Sequence, residues 1–152
     1  MTRKGPRSVL IIEARFYEDI ADELAQGAID ELESHTVAHE RLAVPGSLEI
    51  ALALSLALAN GFVGRAGRHR GCIALGCVIR GETTHYDYVC GESARGLMDL
   101  GVQRRLAIGN GILTVEDEAQ AWARARVSEG NKGGAAAEAA LAMIALRDRL
   151  GT

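Results

Sequence analysis

The sequence predicts an α/β fold, a three-layer α/β/α sandwich built on a four-stranded parallel sheet. Two observations carry this. Stretches of strand length alternate with stretches of helix length along the chain. The strand stretches Ser8 to Ile12, Cys72 to Ile79 and Leu106 to Leu113 are apolar runs without polar alternation, as strands covered on both faces are. Alternation of this kind places helices on both faces of a parallel sheet.

The elements follow in order. Arg7 to Ala14 holds the first strand, and Arg15-Phe16-Tyr17 follows at its carboxyl end. A helix is expected from Glu18 to Ser34, because Ile20, Leu24, Ala28 and Leu32 recur every four residues. Thr36 to Val44 is a strand of mixed polarity, which suits an edge position. His35 and His39 read as solvated, since no acid or nucleophile is fixed near either. Pro45-Gly46 makes a turn and Ser47 stands where it can cap the next helix, with Glu49 in its first turn. The helix up to Ala59 is apolar nearly all round, which implies burial on more than one side and hints at subunit contact. Gly64 to Gly71 is a basic, glycine-punctuated loop, read as a charged, solvated connection.

The central strand, Cys72 to Ile79, ends at Arg80-Gly81. Thr83-Thr84 then offers hydroxyl caps to a helix whose stripe is Tyr88, Val89, Ala94, Leu97 and Met98. A fourth strand runs to Leu113, with glycines that imply a close backbone approach. Thr114 is expected to cap a helix from Val115 to Arg126, acidic at its start and basic at its end. Gly130-Asn131-Lys132-Gly133-Gly134 links to a last helix, Ala135 to Leu150. A lysine at a helix start opposes the helix dipole, so Lys132 reads as a ligand-binding candidate.

Residues 1–152 read as one domain, with 1–7 as a flexible arm. A hydrophobic share of 48% and a charged share of 24% are those of a folded globular protein. The net charge of −3 argues against a general attraction to nucleic acid or anionic membranes. Met1 to Arg7 leads into a strand rather than a leader and cleavage site, so the cytoplasm is the expected location. Cys72, Cys77 and Cys90 have no CxxC or Cys/His metal spacing and read as reduced core thiols.

The chemistry concentrates after the central strand. Ligands of open α/β sheets bind outside the carboxyl ends of strands, and first-turn amides there face outward towards an anion. His85 stands in that turn, and imidazoles exchange protons near neutral pH. Phe16 either packs on its own helix or stacks a flat ring. Ser47 and Glu49 either cap a helix or bind a polyol. There is no GxGxxG or Walker A stretch, so no nucleotide cofactor is suggested.

Gly76-x-Val78-Ile79-Arg80-Gly81-x-Thr83-x-His85-Tyr86 resembles the signature of the lumazine synthases. Arg15-Phe16, Val44 to Ile50 and Gly130 to Gly133 agree in order and spacing, so the resemblance runs from about Val9 to Leu146. It implies a flavodoxin-like sheet and a cofactor-independent transferase of riboflavin biosynthesis. That enzyme condenses 5-amino-6-(D-ribitylamino)uracil with 3,4-dihydroxy-2-butanone 4-phosphate, giving 6,7-dimethyl-8-ribityllumazine.

By position, the resemblance implies that Phe16 stacks on the pyrimidine and that Cys77, Val78 and Ile79 meet its edge. Ser47, Leu48 and Glu49 would hold the ribityl chain. Asn110 would contribute to the pyrimidine or ribityl pocket, and Lys132 would reach a ring carbonyl. Glu82, Thr83 and Arg124 would bind the phosphate, and His85 would move protons. It also implies a homo-oligomer, a pentamer or an icosahedral assembly of pentamers, with sites shared between subunits, and riboflavin synthase as a further partner.

The sequence departs from the family pattern at Leu48 and Asn110, where phenylalanine is frequent, and at Ser128, where lysine is. Glu82 places a carboxylate beside the phosphate, repelling it unless the side chain turns away or pairs with Arg80. These departures keep a second reading open, a flavin- or lumazine-binding or shell-forming protein with weak turnover. Archaeal-type riboflavin synthase, a similar family, is a third.

Overall fold

A computed structural model describes residues 8–151, so the expected arm at 1–7 lies outside the described residues. The apolar runs form the strands: β1 (Ser8–Ala14), β3 (Gly71–Ile79) and β4 (Ile108–Val115), with the more polar β2 (Ala38–Val44). All pair in parallel in the order β2-β1-β3-β4. The mixed-polarity strand is therefore an edge, as its sequence implies.

Helices α1 (Glu18–Ser34), α4 (Glu118–Ala125) and α5 (Lys132–Leu150) cover one face; α2 (Leu48–Ala59) and α3 (His85–Arg104) cover the other. The pleat sorts each strand between them. Val9 and Ile11 pack with Leu24 and Ala28 of α1, while Leu10 and Ile12 pack with Ile50 and Leu54 of α2. The expected three-layer, flavodoxin-like sandwich is what forms.

Several boundaries differ from expectation. β4 extends to Val115, because Ile112 to Val115 continue to pair with Gly76 to Ile79. Thr114 thus stays in the sheet, and Asp117 caps α4 by accepting a hydrogen bond from the Gln120 amide at 2.8 Å. Neither Ser47 nor Thr84 makes a side-chain capping bond. Instead the Thr83 hydroxyl accepts from the His85 amide at 3.3 Å. α5 begins at Lys132, three residues earlier than expected, after Asn131 caps the Gly134 amide at 3.2 Å.

Gly109 explains how α5 lies so close to β4. A Cβ there would sit 1.8 Å from the Ala136 carbonyl oxygen. The basic loop before β3 is only partly solvated: His69 is buried, between the Ser8 hydroxyl and Glu40, whose carboxylate lies 2.6 Å from Nε2. Glu40 sits on β2 and supplies the partner that the loop itself lacks. His35 is exposed and pairs with Glu31.

Of the expected stripe on α3, Val89 and Leu97 are buried but Tyr88, Ala94 and Met98 are exposed. α2 likewise buries Ile50, Leu54 and Ala57 and leaves Leu52 at 64% and Leu56 at 67% exposure. In one chain, α2 is buried on one side only. Among the described residues no helix is long and apolar enough to cross a membrane, and no group of His, Cys, Asp or Glu could hold a metal ion.

Candidate active site

A cavity of about 480 Å³ opens beyond the carboxyl ends of β1, β2 and β3. This is the switch point of the sheet, where connections from β1 and β3 leave towards opposite faces and part the loops. Its volume falls in the range of small-molecule sites. Three segments build the walls: Phe16-Tyr17 after β1, Pro45 to Glu49 after β2, and Gly81 to Val89 after β3. Cys77, Val78 and Ile79 at the end of β3 form the floor.

Each segment brings a different chemistry. Phe16 is 73% exposed and rests edge-on against Tyr17, with ring centroids 4.9 Å apart, so its broad face is free to stack. The root of this loop is fixed electrostatically. Glu13, 2% exposed, takes hydrogen bonds from Arg41 Nε at 2.7 Å and Arg15 Nη1 at 2.5 Å, and Arg15 also holds Asp22. Burial pushes the Glu13 pKa up, but the bonds and charges of Arg41 and Arg15 outweigh it and hold the carboxyl below its ordinary value.

Ser47 is buried in the opposite wall, and its hydroxyl has no hydrogen-bond partner. That hydroxyl is enclosed beside Gly76 of β3, and a buried hydroxyl without a partner is costly, so a ligand hydroxyl that reached it would satisfy it. Beside it stand the exposed Leu48 and the half-buried Glu49. Thr83 and the exposed His85 lie at the start of α3, where the His85 amide is taken by the Thr83 hydroxyl and the Asp87 amide by the Thr84 carbonyl at 3.0 Å. Arg80 stacks on Tyr86 with its guanidinium carbon 4.3 Å from the ring centre, and pairs with Glu116 at 2.7 Å. That holds Tyr86 at the rim. Burial pushes the Cys77 thiol up to about 12, so the floor is a neutral thiol at physiological pH.

Of the residues expected from sequence, Phe16, Ser47, Leu48, Glu49, Cys77, Val78, Ile79, Thr83 and His85 line this one cavity. Glu82, Asn110, Arg124 and Lys132 do not. Glu82 is exposed outside the cavity and does not pair with Arg80, whose partners are Glu116 and Asp87. Asn110 sits within β4 opposite Ala74 and accepts from the Ile112 amide at 3.0 Å. Arg124 is in the last turn of α4, bonded to the Gln120 carbonyl at 3.1 Å. Lys132 starts α5, whose next residue, Gly133, lies against the Leu24 carbonyl in the middle of α1. Tyr17 and Tyr86 line the cavity without having been singled out; their adjacency to Phe16 and His85 was the available signal.

The model of 6,7-dimethyl-8-ribityllumazine synthase matches residues 6–148 of the chain. The chain belongs to that family. It is 54% identical to 6,7-dimethyl-8-ribityllumazine synthase 1 of Rhizobium meliloti (strain 1021), over 99% of this chain and 98% of the relative. It is also 54% identical to the 6,7-dimethyl-8-ribityllumazine synthase of Bartonella tribocorum, over 98% and 95%. The protein of the same name from Xanthobacter autotrophicus is 58% identical, over 93% and 86%. The chain thus matches these relatives over nearly its whole length, and the matched region spans every segment of the cavity wall.

Proposed function

We propose that this cavity condenses 5-amino-6-(D-ribitylamino)uracil with 3,4-dihydroxy-2-butanone 4-phosphate to 6,7-dimethyl-8-ribityllumazine, the penultimate step of riboflavin biosynthesis. The observation that carries the reading is the convergence of three groups on one opening: the free face of Phe16, the half-buried carboxylate of Glu49 and the exposed imidazole of His85. They suit, in turn, a heteroaromatic ring, a polyol chain and a proton transfer.

In this reading Phe16 stacks on the pyrimidine while backbone groups of Cys77, Val78 and Ile79 meet its edge. Ser47 and Glu49 take the ribityl hydroxyls, and Leu48 packs against the chain. Thr83 and the amides around Glu82 hold the phosphate at the start of α3. The 5-amino group adds to the ketone, and loss of water gives an imine. Loss of phosphate follows, and the ribityl-bearing nitrogen then closes the ring with loss of a second water. His85 takes and returns protons through these steps. Positioning supplies much of the acceleration, since both reactants are held in one small cavity.

Arg124, Lys132 and Asn110 are assigned to phosphate, ring carbonyl and pocket respectively, yet none lines the cavity of its own chain. A second copy would supply them. The exposed Leu52, Leu56, Met98 and Val102 on α2 and α3 support such an oligomer, because so much apolar surface is rarely left to water. A pentamer, alone or in a larger shell, acting in the cytoplasm is the assembly proposed. The test is product formation, followed by lumazine absorbance, from the purified protein and both substrates. A rate equal to the spontaneous reaction overturns the assignment.

A further inference from the structure

At the opposite end of the sheet lies a second cavity, of about 400 Å³, lined by Arg65, Arg104, Arg105, Arg147 and Gly151. It sits below the amino ends of β3 and β4, about 26 Å from the catalytic end at the length of β3. We propose that this cavity is a second anion site, which takes a small molecule bearing a diphosphate group.

Three different segments supply the arginines. Arg65 comes from the loop before β3, Arg104 and Arg105 from the end of α3, and Arg147 from the last turns of α5. Seven of the described arginines, Arg15, Arg41, Arg68, Arg70, Arg80, Arg95 and Arg126, each pair with a carboxylate. Among the described residues, none of the four that line this cavity does. A chain of net charge −3 has therefore gathered four unneutralised guanidiniums around one opening.

Arg147 is the decisive member. It is 7% exposed, and its terminal nitrogens donate to the Arg105 carbonyl at 3.2 Å and the Arg70 carbonyl at 2.5 Å. Its Nε is buried with no partner. Capping of the end of α3 accounts for the bond to Arg105 and for Arg104, since cations suit helix C-termini, and the bond to Arg70 ties α5 to the start of β3. It does not account for the orphaned Nε, nor for Arg65 and Arg105 facing the same opening. Burial and the neighbouring charges of Arg70 and Arg65 disfavour the charged form of Arg147, with Asp148 a partial offset, so a bound anion would relieve the site. Guanidiniums match phosphate oxygens in geometry, and the volume admits one small ligand rather than a macromolecular strand.

The test is titration calorimetry of the intact protein with inorganic pyrophosphate and, separately, ADP. Arg65→Ala/Arg104→Ala removes two exposed arginines that no core contact requires, and should weaken pyrophosphate binding about 10-fold or more while leaving turnover unchanged. Arg124→Ala should leave this binding intact, which separates it from any phosphate held at the catalytic end. ADP binding more tightly than pyrophosphate identifies a nucleotide as the source; equal affinity identifies the diphosphate alone, and both uphold the site. Wild-type affinity in the double variant, or loss of binding in Arg124→Ala, overturns it.

Discussion

A Cβ placed on Gly76 would lie 2.7 Å from the hydroxyl of Ser47, so the middle of β3 sets where the cavity's buried hydroxyl stands. Ser47 itself has no partner for that hydroxyl. The two residues together set a buried polar atom behind the cavity wall that no other group of the chain satisfies.

This pair gives opposite expectations for stability and binding. Ser47→Ala removes an unsatisfied buried polar atom, so the ligand-free protein should be as stable as wild type or about 1 kcal/mol more stable. Its KM for the ribitylaminouracil should nevertheless rise. Gly76→Ala should push the hydroxyl aside, raise the same KM and cost about 1–3 kcal/mol through overpacking. Urea unfolding beside steady-state kinetics checks both. A Ser47→Ala protein that is destabilised with unchanged KM would make the hydroxyl structural.

His85→Ala should lower kcat by about 10²-fold or less, within the usual range for an acid–base group. The side chain is exposed at the start of α3 and belongs to neither core cluster, so stability should be unchanged. Arg124→Ala should mainly raise KM for the butanone phosphate. Because Arg124 does not line its own chain's cavity, co-assembly of the two variants should restore part of the activity that each lacks. Mixtures that stay at the sum of the separate rates would place both residues in one subunit's site.

Glu13 makes stability depend on pH in a definite direction. Its folded pKa lies below the ordinary value of 4.5, so the folded state favours the carboxylate. The stabilisation is present above the unfolded pKa and is lost as pH falls from there through the folded pKa. Urea midpoints should therefore drop below about pH 4.5 in wild type, and drop less steeply in Glu13→Gln. Glu13→Gln should also be destabilised at neutral pH, because Arg41 loses its charged partner and Arg15 one of its two. Identical pH slopes for the two proteins would remove Glu13 from the account.

Cys77 lines the cavity, yet its thiol is pushed up to about 12. At pH 8 only about one part in 10⁴ is thiolate, so alkylation by iodoacetamide should be negligible over an hour. Cys72, buried with its thiol also pushed up to about 12, should behave likewise. Rapid labelling of Cys77 at pH 8, read by peptide mass, would show an activated thiol and give the floor a chemical role.

The order and kind of the elements were legible in the chain because each depends on local pattern. Unbroken apolar runs mark strands covered on both faces, and the four-residue spacing of Ile20, Leu24, Ala28 and Leu32 marks α1, whose limits Glu18–Ser34 came out as read. The polar content of β2 placed it at an edge. The motif that runs from β3 into α3 put Cys77, Val78, Ile79, Thr83 and His85 at the cavity by its resemblance to a known family.

What needed the tertiary structure was whatever depends on partners distant in the chain. β4 outran its expected end because Ile112 to Val115 still had β3 beside them, and that pairing outweighed Thr114 as a cap. His69 was buried by Glu40, a residue of another strand. Ser47 lost its capping bond because its hydroxyl lies buried against β3, beside Gly76. Arg124, Lys132 and Asn110 were separated from the cavity because α4, α5 and β4 place them outside it. Local periodicity determines which segments become strands and helices; only the packing of those segments decides which polar groups meet and which are left waiting for a partner.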